Sequence, residues 1–219
     1  MVSEKIITFK KSIPNNVTLV AVSKTKPIEA ILDAYEIGQR IFGENKVQEL
    51  VSKYESLPKD IEWHLIGHLQ TNKVKFIAPF VQLIHAVDSV RLLKEINKEA
   101  KRNNRIINCL LQFHVAKEST KYGFSIDEVT ELLTSTEFHE FKHISICGIM
   151  GMATFTNDKA CINLEFQTLH TYFNTLKNVF FSHKETFKEL SMGMSDDFQL
   201  AIENGSTMIR IGSTLFGNR

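Results

Sequence analysis

Cysteine is scarce in this chain. There are three in 219 residues, Cys109, Cys147 and Cys161, an odd number with no close spacing. That excludes a disulfide framework and a thiolate zinc site, and two of the three lie in apolar, strand-like runs where they read as buried thiols in a reducing compartment. An excess of charge of either sign is missing too. The 26 basic and 25 acidic side chains leave a formal net charge of +1, so nothing in the electrostatics calls for DNA, RNA or an anionic membrane. No run is long and uncharged enough to span a bilayer, and residues 1–11 alternate charged and apolar types without the apolar core of a signal peptide. Linkers, low-complexity tracts, charge blocks and internal repeats are also lacking. The expectation is a cytoplasmic globular protein with one domain over residues 1–219, its 43% hydrophobic content ample for a core.

What is present is a steady alternation of two patterns. Strand-like segments occur at 17–24, 40–45, 61–67, 82–88, 106–114, 143–150, 187–192 and 207–212. Helical patterns lie between them at 27–38, 46–56, 71–78, 89–103, 125–135, 158–178 and 196–204. The first strand, Val17-Thr18-Leu19-Val20-Ala21-Val22-Ser23-Lys24, is a continuous apolar and β-branched run, the signature of a strand buried on both faces. Asp88-Ser89 supplies an N-cap signal, and Ser125-Ile126-Asp127-Glu128 makes a capping box. Eight strands in β-α alternation at this length predict a compact (β/α)8 barrel; an open doubly wound sheet would need fewer strands or a longer chain.

In a barrel each strand delivers its last residues to one rim, so strand ends become candidate site residues. The first strand offers Ser23, Lys24 and Thr25, the second Gly43, Glu44 and Asn45, the third Gly67 and His68, and the fourth His85 and Asp88. The sixth offers Gly148, Met150 and Gly151, the seventh Ser191-Met192-Gly193-Met194-Ser195, and the eighth Arg210-Ile211-Gly212-Ser213. Most lysines are solvated surface charges, but Lys24 closes a buried strand, which aims an amine at the rim. The loops after the last two strands pair glycine with serine, the materials of a phosphate cradle. Alternatively Ser195 simply caps the following helix, with Asp196 and Asp197 complementing its dipole. His64, His85 and His114 share no metal-ligand spacing and read as hydrogen-bonded strand residues, with His85 also a candidate to line the pocket. Trp63, Phe166, Phe173, Phe180 and Phe181 read as core.

A lysine and a phosphate cradle on one rim suit a phosphorylated aldehyde held as a Schiff base, of which pyridoxal phosphate is the commonest. At this point a resemblance becomes specific. Val20-Ala21-Val22-Ser23-Lys24-Thr25-Lys26-Pro27, Phe42-Gly43-Glu44-Asn45 and Trp63-His64-Leu65-Ile66-Gly67-His68-Leu69-Gln70 occur in that order. Ser191-Met192-Gly193-Met194-Ser195-Asp196-Asp197 and Met208-Ile209-Arg210-Ile211-Gly212-Ser213 follow. Together, from about residue 17 to the C-terminus, they resemble the YggS/PROSC family of pyridoxal phosphate homeostasis proteins. The resemblance implies a fold-type III barrel, akin to the barrel domain of alanine racemase, with Lys24 as the Schiff-base lysine and pyridoxal 5'-phosphate as cofactor. It further implies phosphate binding by Ser195, Gly212 and Ser213, Arg210 facing the pyridine nitrogen, Asn45 near the cofactor on the rim, and Lys121 near the pocket mouth. Two departures accompany it: His68 stands where proline is frequent, and the segment before the first strand is short, which predicts a truncated first helix and a less covered barrel end.

Three functions fit these residues. The first is a cofactor carrier and regulator in intracellular pyridoxal phosphate homeostasis, a monomer whose partners are the cofactor and pyridoxal phosphate-dependent apoenzymes. The second is a racemase-like enzyme acting on amino acids. Arginine cannot accept or share the ring-nitrogen proton that makes the cofactor a strong electron sink. The expected absence of a second β-domain also leaves no obvious second acid/base, so the carrier is the preferred reading. The third, a Schiff-base aldolase acting on a phosphorylated sugar, shares barrel, lysine and phosphate site.

Overall fold

The computed structural model describes residues 1–116 and 122–217. Eight parallel strands close into a barrel in sequence order: β1 (Thr18–Val22), β2 (Ile41–Glu44), β3 (Glu62–Leu65), β4 (Leu83–Val87), β5 (Ile107–Gln112), β6 (Ile144–Met150), β7 (Glu189–Ser191) and β8 (Met208–Ile211). Closure is made by β1 against β8, with Thr18 paired to Met208 and Ala21 to Ile211. The eight strands and the seven helical patterns read from the sequence all appear.

The helices are α1 (Val2–Lys11), α2 (Ile28–Glu36), α3 (Val47–Ser56), α4 (Val74–Ile77, entered through a 3-10 turn over Thr71–Lys73), α5 (Val90–Arg102), α6 (Ile126–Thr134), α7 (Thr136–His139), α8 (Lys159–Phe180), α9 (Phe198–Glu203) and α10 (Ser213–Phe216). The start of α5 carries the Ser89 cap, and the Ser125–Glu128 capping box opens α6. Residues 2–11, where the resemblance predicts a truncated first helix, form a helix of ten residues. Its Ile6 and Phe9 are buried, and Phe9 meets the ring of Phe198 at 5.0 Å.

Alternation along each strand separates two apolar layers. Outward-facing Leu19, Ala21, Phe42, Trp63, Leu65, Ile209 and Ile211 pack under the helices, while Val20, Leu83, Leu110, Cys147, Met150 and Met208 fill the barrel interior. Trp63, Phe166, Phe173 and Phe181 are buried as expected. Cys109 and Cys147 are buried free thiols and Cys161 is half-buried. Because Cys109 belongs to the outer layer and Cys147 to the inner one, the strands that carry them turn the thiols to opposite faces of the sheet. Among the described residues no helix is long and apolar enough to cross a membrane.

Candidate functional site

A cavity of about 620 Å³ opens at the carboxyl ends of the strands. Six residues singled out from the sequence, Lys24, Asn45, Ser195, Arg210, Gly212 and Ser213, all line it. Thr25, Gly67, His68 and Met194 join them, whereas Glu44, His85, Asp88 and Ser191 lie behind or beneath its wall. Lys121 lies outside the described residues. The sequence reading missed Lys26, Gln112, Tyr122, Met152 and Phe155, which also line the cavity. Gln112 was within reach of inference, since it continues the inward alternation of Asn108 and Leu110 to the end of β5.

The floor is a chain of buried polar groups across the barrel interior. Arg210 Nη1 donates to Ser191 Oγ at 2.7 Å, and Arg210 Nη2 donates to the Gly151 carbonyl at 3.0 Å. Ser191 Oγ lies 3.0 Å from His85 Nδ1, and His85 Nε2 lies 3.0 Å from His64 Nδ1. With Ser191 already accepting from arginine, its own hydrogen finds its acceptor at His85 Nδ1. That order places the ring protons of both histidines on Nε2. Burial drives His64 down to about 3, and burial with the nearby His64 and Arg210 lowers His85 as well, so both rings are neutral. Burial also lowers Arg210, to about 10, with Asp197 pulling it back up. The guanidinium therefore keeps its charge at neutral pH, and its donors not used by Ser191 and Gly151 remain for the cavity. His85 serves this chain beneath the floor and does not line the pocket.

The loops after β7 and β8 form one wall. Arg210 N–H donates to the Gly193 carbonyl at 3.0 Å, and Gly212 N–H donates to Ser195 Oγ at 3.3 Å, which ties the two loops together. The alternative role for Ser195 as the helix cap is not what forms. Asp197 occupies the N-cap position of α9 without a side-chain cap bond, and its Oδ1 instead accepts the Met194 N–H at 2.6 Å. Burial raises the Asp197 carboxyl above its ordinary range.

The two glycines differ in purpose. Gly193 sits at φ +97°, and a Cβ there would lie 2.6 Å from Ala201 Cβ, so both backbone and packing demand glycine. At Gly212 a Cβ would meet nothing closer than Val22 at 3.4 Å. The protein's own packing tolerates a side chain at 212, and glycine there leaves room in the cavity instead.

Lys24 stands just past β1, the strand that pairs with β8, beside Asn45 past β2. At the mouth, the His68 ring stacks on Tyr122 at 4.1 Å, and His68 Nδ1 lies 2.8 Å from Asp88 Oδ2. An aromatic–imidazole pair thus occupies the turn where the departure from proline was noted. The assembled site offers a primary amine, a buried guanidinium and a set of short hydroxyl and amide donors within one cavity of small-molecule size. This is the rim of a lysine-bearing (β/α)8 barrel.

Comparison with known proteins agrees with that class. The family profile "Alanine racemase, N-terminal domain" matches residues 2–219. Curated relatives named pyridoxal phosphate homeostasis protein include that of Aquifex aeolicus, 39% identical over 94% of this chain and 88% of its own length. That of Escherichia coli K12 is 36% identical over 94% and 87%. The solved structure of PipY from Synechococcus elongatus with PLP bound superposes with a TM-score of 0.88 at 34% identity, covering 99% of this chain and 100% of that one. Its form without PLP gives 0.92 at 33% identity over the same shares. An alanine racemase of Clostridium difficile shares the fold at a TM-score of 0.80 and 11% identity, over 100% of this chain and 60% of the enzyme. The chain belongs to the alanine racemase N-terminal domain family and, within it, to the pyridoxal phosphate homeostasis proteins.

Proposed function

We propose that this protein binds pyridoxal 5'-phosphate, holds it as a Schiff base on Lys24, and serves as a monomeric cytoplasmic carrier in pyridoxal phosphate homeostasis, passing the cofactor to dependent apoenzymes. The observation that carries the reading is the convergence of Lys24, Arg210 and the Ser195–Gly212–Ser213 group on one cavity. The cofactor fits that donor set end for end. Ser195 and Ser213 would hold its phosphate in the space left by Gly212, Arg210 would face its ring nitrogen, and Lys24 would meet its aldehyde. When bound, it supplies an electrophilic carbonyl and an electron-withdrawing ring.

The chain's own groups favour holding over catalysis. Arg210, cationic and a donor only, can hydrogen-bond an unprotonated ring nitrogen but cannot stabilise a protonated one. The histidines behind it are neutral, and among the described residues no carboxylate hydrogen-bonds to them, to Ser191 or to the Arg210 side chain. That leaves the bound ring a weak electron sink, as a carrier requires. Asn45 borders the amine, and the Tyr122–His68 stack borders the mouth.

The test is the visible spectrum of purified protein before and after adding pyridoxal 5'-phosphate, in wild type and Lys24→Ala. A yellow band in the wild type alone is expected. No band in either protein would refute the reading and favour the aldolase, for which carbon–carbon bond cleavage of a phosphorylated sugar would then be assayed.

A further inference from the structure

Behind Lys24 lies a cluster of charged side chains that touches no part of the cavity. The four residues Ser23–Lys26 form a tight turn closed by the Lys26 N–H on the Ser23 carbonyl at 3.0 Å. Thr25, at its third position, has φ +64°. A glycine normally fills that left-handed position, and a β-branched residue there is a true outlier. Something must hold it.

The holding groups come from β2 and α3. Glu49 Oε1 accepts the Thr25 N–H at 2.6 Å. Lys53, one helical turn further on and buried, spends all three ammonium protons: on Glu49 Oε1 at 2.7 Å, on Glu44 Oε1 at 2.8 Å and on the Ser23 carbonyl at 2.8 Å. Ser23 Oγ donates to the same Glu44 oxygen at 2.6 Å. Glu44 is fully buried, and its second oxygen has no partner among the described residues. Each residue flanking Lys24 is therefore fastened from outside the barrel: Ser23 at its hydroxyl and carbonyl, Thr25 at its amide.

We infer that Glu49, with Lys53 and Glu44, is a positioning residue that clamps the strained Ser23–Lys26 turn and so sets the direction in which the Lys24 side chain enters the cavity. Releasing the Thr25 amide frees the Lys24–Thr25 peptide plane to rotate toward an ordinary backbone conformation. That rotation redirects the Lys24 side chain by an amount reactions between held groups do not tolerate. The inference rests on the reading of Lys24 as the point of attachment. In that reaction the Lys24 amine nitrogen bonds to the aldehyde carbon, and the carbonyl oxygen departs as water with both amine protons.

The experiment follows the growth of the visible band on mixing full-length protein with pyridoxal 5'-phosphate, in wild type, Glu49→Ala, Thr25→Gly and the double variant, with a thermal melt of each. Glu49→Ala is expected to slow attachment by about tenfold or more. Thr25→Gly alone sets the reference rate for the double variant, because glycine takes the left-handed conformation without a clamp. The double variant should recover most of the lost rate, a rescue that a purely structural role for Glu49 does not produce. An unchanged rate in Glu49→Ala, or a double variant as slow as Glu49→Ala with a normal melt, would overturn the clamp while leaving Lys24 in place. Should Glu49→Ala not fold, Glu49→Met, which fills the same length without an acceptor, paired with Thr25→Gly carries the same comparison. A wild type that forms no band overturns the attachment reading itself, and the clamp with it.

Discussion

The two groups that border the cavity, the amine end after β1 and the anion end after β7 and β8, are built on different principles. At the amine end a single long side chain is aimed by fastening the backbone on both sides of it, and the fasteners are an ammonium and two carboxylates from β2 and α3. At the anion end the contacts between the two loops that the described residues show are made by backbone and a hydroxyl, not by ion pairs. The loops are tied by Gly212 N–H on Ser195 Oγ, Arg210 N–H on the Gly193 carbonyl, and Asp197 on its own loop. The contrast follows from what each end handles. A phosphate presents several oxygens and can be caught by short donors on well-set backbone, whereas one flexible amine has a single reacting atom and must be steered by its main chain.

Breaking the amine end should cost the most. Lys53→Met leaves the fully buried Glu44 facing the Ser23 hydroxyl alone, and losing the cation of a buried pair costs about 3–5 kcal/mol of stability. Urea denaturation of the apoprotein would read this as a lowered midpoint at unchanged slope. The corresponding lesion at the anion end, Ser195→Ala with Ser213→Ala, should cost less than about 1 kcal/mol of apoprotein stability while weakening pyridoxal 5'-phosphate retention by about 1–3 kcal/mol, measured by equilibrium dialysis. A double-serine variant with wild-type retention would remove the anion end from the account, and one as unstable as Lys53→Met would erase the contrast.

The floor of the cavity predicts a pH dependence. In the unfolded chain His64 titrates near its ordinary 6.5, and in the fold burial holds it at about 3. Between those values the unfolded chain binds the additional proton. The His64 contribution to stability is therefore whole above about pH 6.5 and is lost as pH falls toward about 3. His85, lowered by burial, acts in the same direction. His64→Gln should flatten the decline in denaturation midpoint between pH 6.5 and 4, and an unaltered slope would contradict the neutral assignment. The smallest effect is expected at a control pair: Lys94 and Glu137 bond at 2.6 Å but are about half exposed. Lys94→Ala should shift stability by about 0.5 kcal/mol or less, against the large loss at Lys53, which sets burial apart from ion pairing as such.

The same contrast explains what could be read in the sequence. The barrel was legible because every strand is a compact apolar run between helical patterns, and the anion end because its groups lie in two contiguous segments ending strands. Lys24 stood out as the charged terminus of such a run. The clamp was hidden: Glu49 and Lys53 have the spacing of an ordinary solvated helix pair, and only the packing of α3 on the end of β2 buries Lys53. Ser195-Asp196-Asp197 offered three capping residues in a row, and the structure selects Asp197, which frees Ser195 for the loop contact. The helix over residues 2–11 was expected from the resemblance and not from its own pattern, because its apolar stripe is short, with Ile6 and Phe9 its main buried members.

The central claim is the covalent role of Lys24, and borohydride trapping tests it most directly. Wild-type protein mixed with pyridoxal 5'-phosphate, reduced, digested and analysed by mass spectrometry should carry the pyridoxyl phosphate label on the peptide containing Lys24, at that residue. A label confined to another lysine, or no label after reduction, would contradict the account.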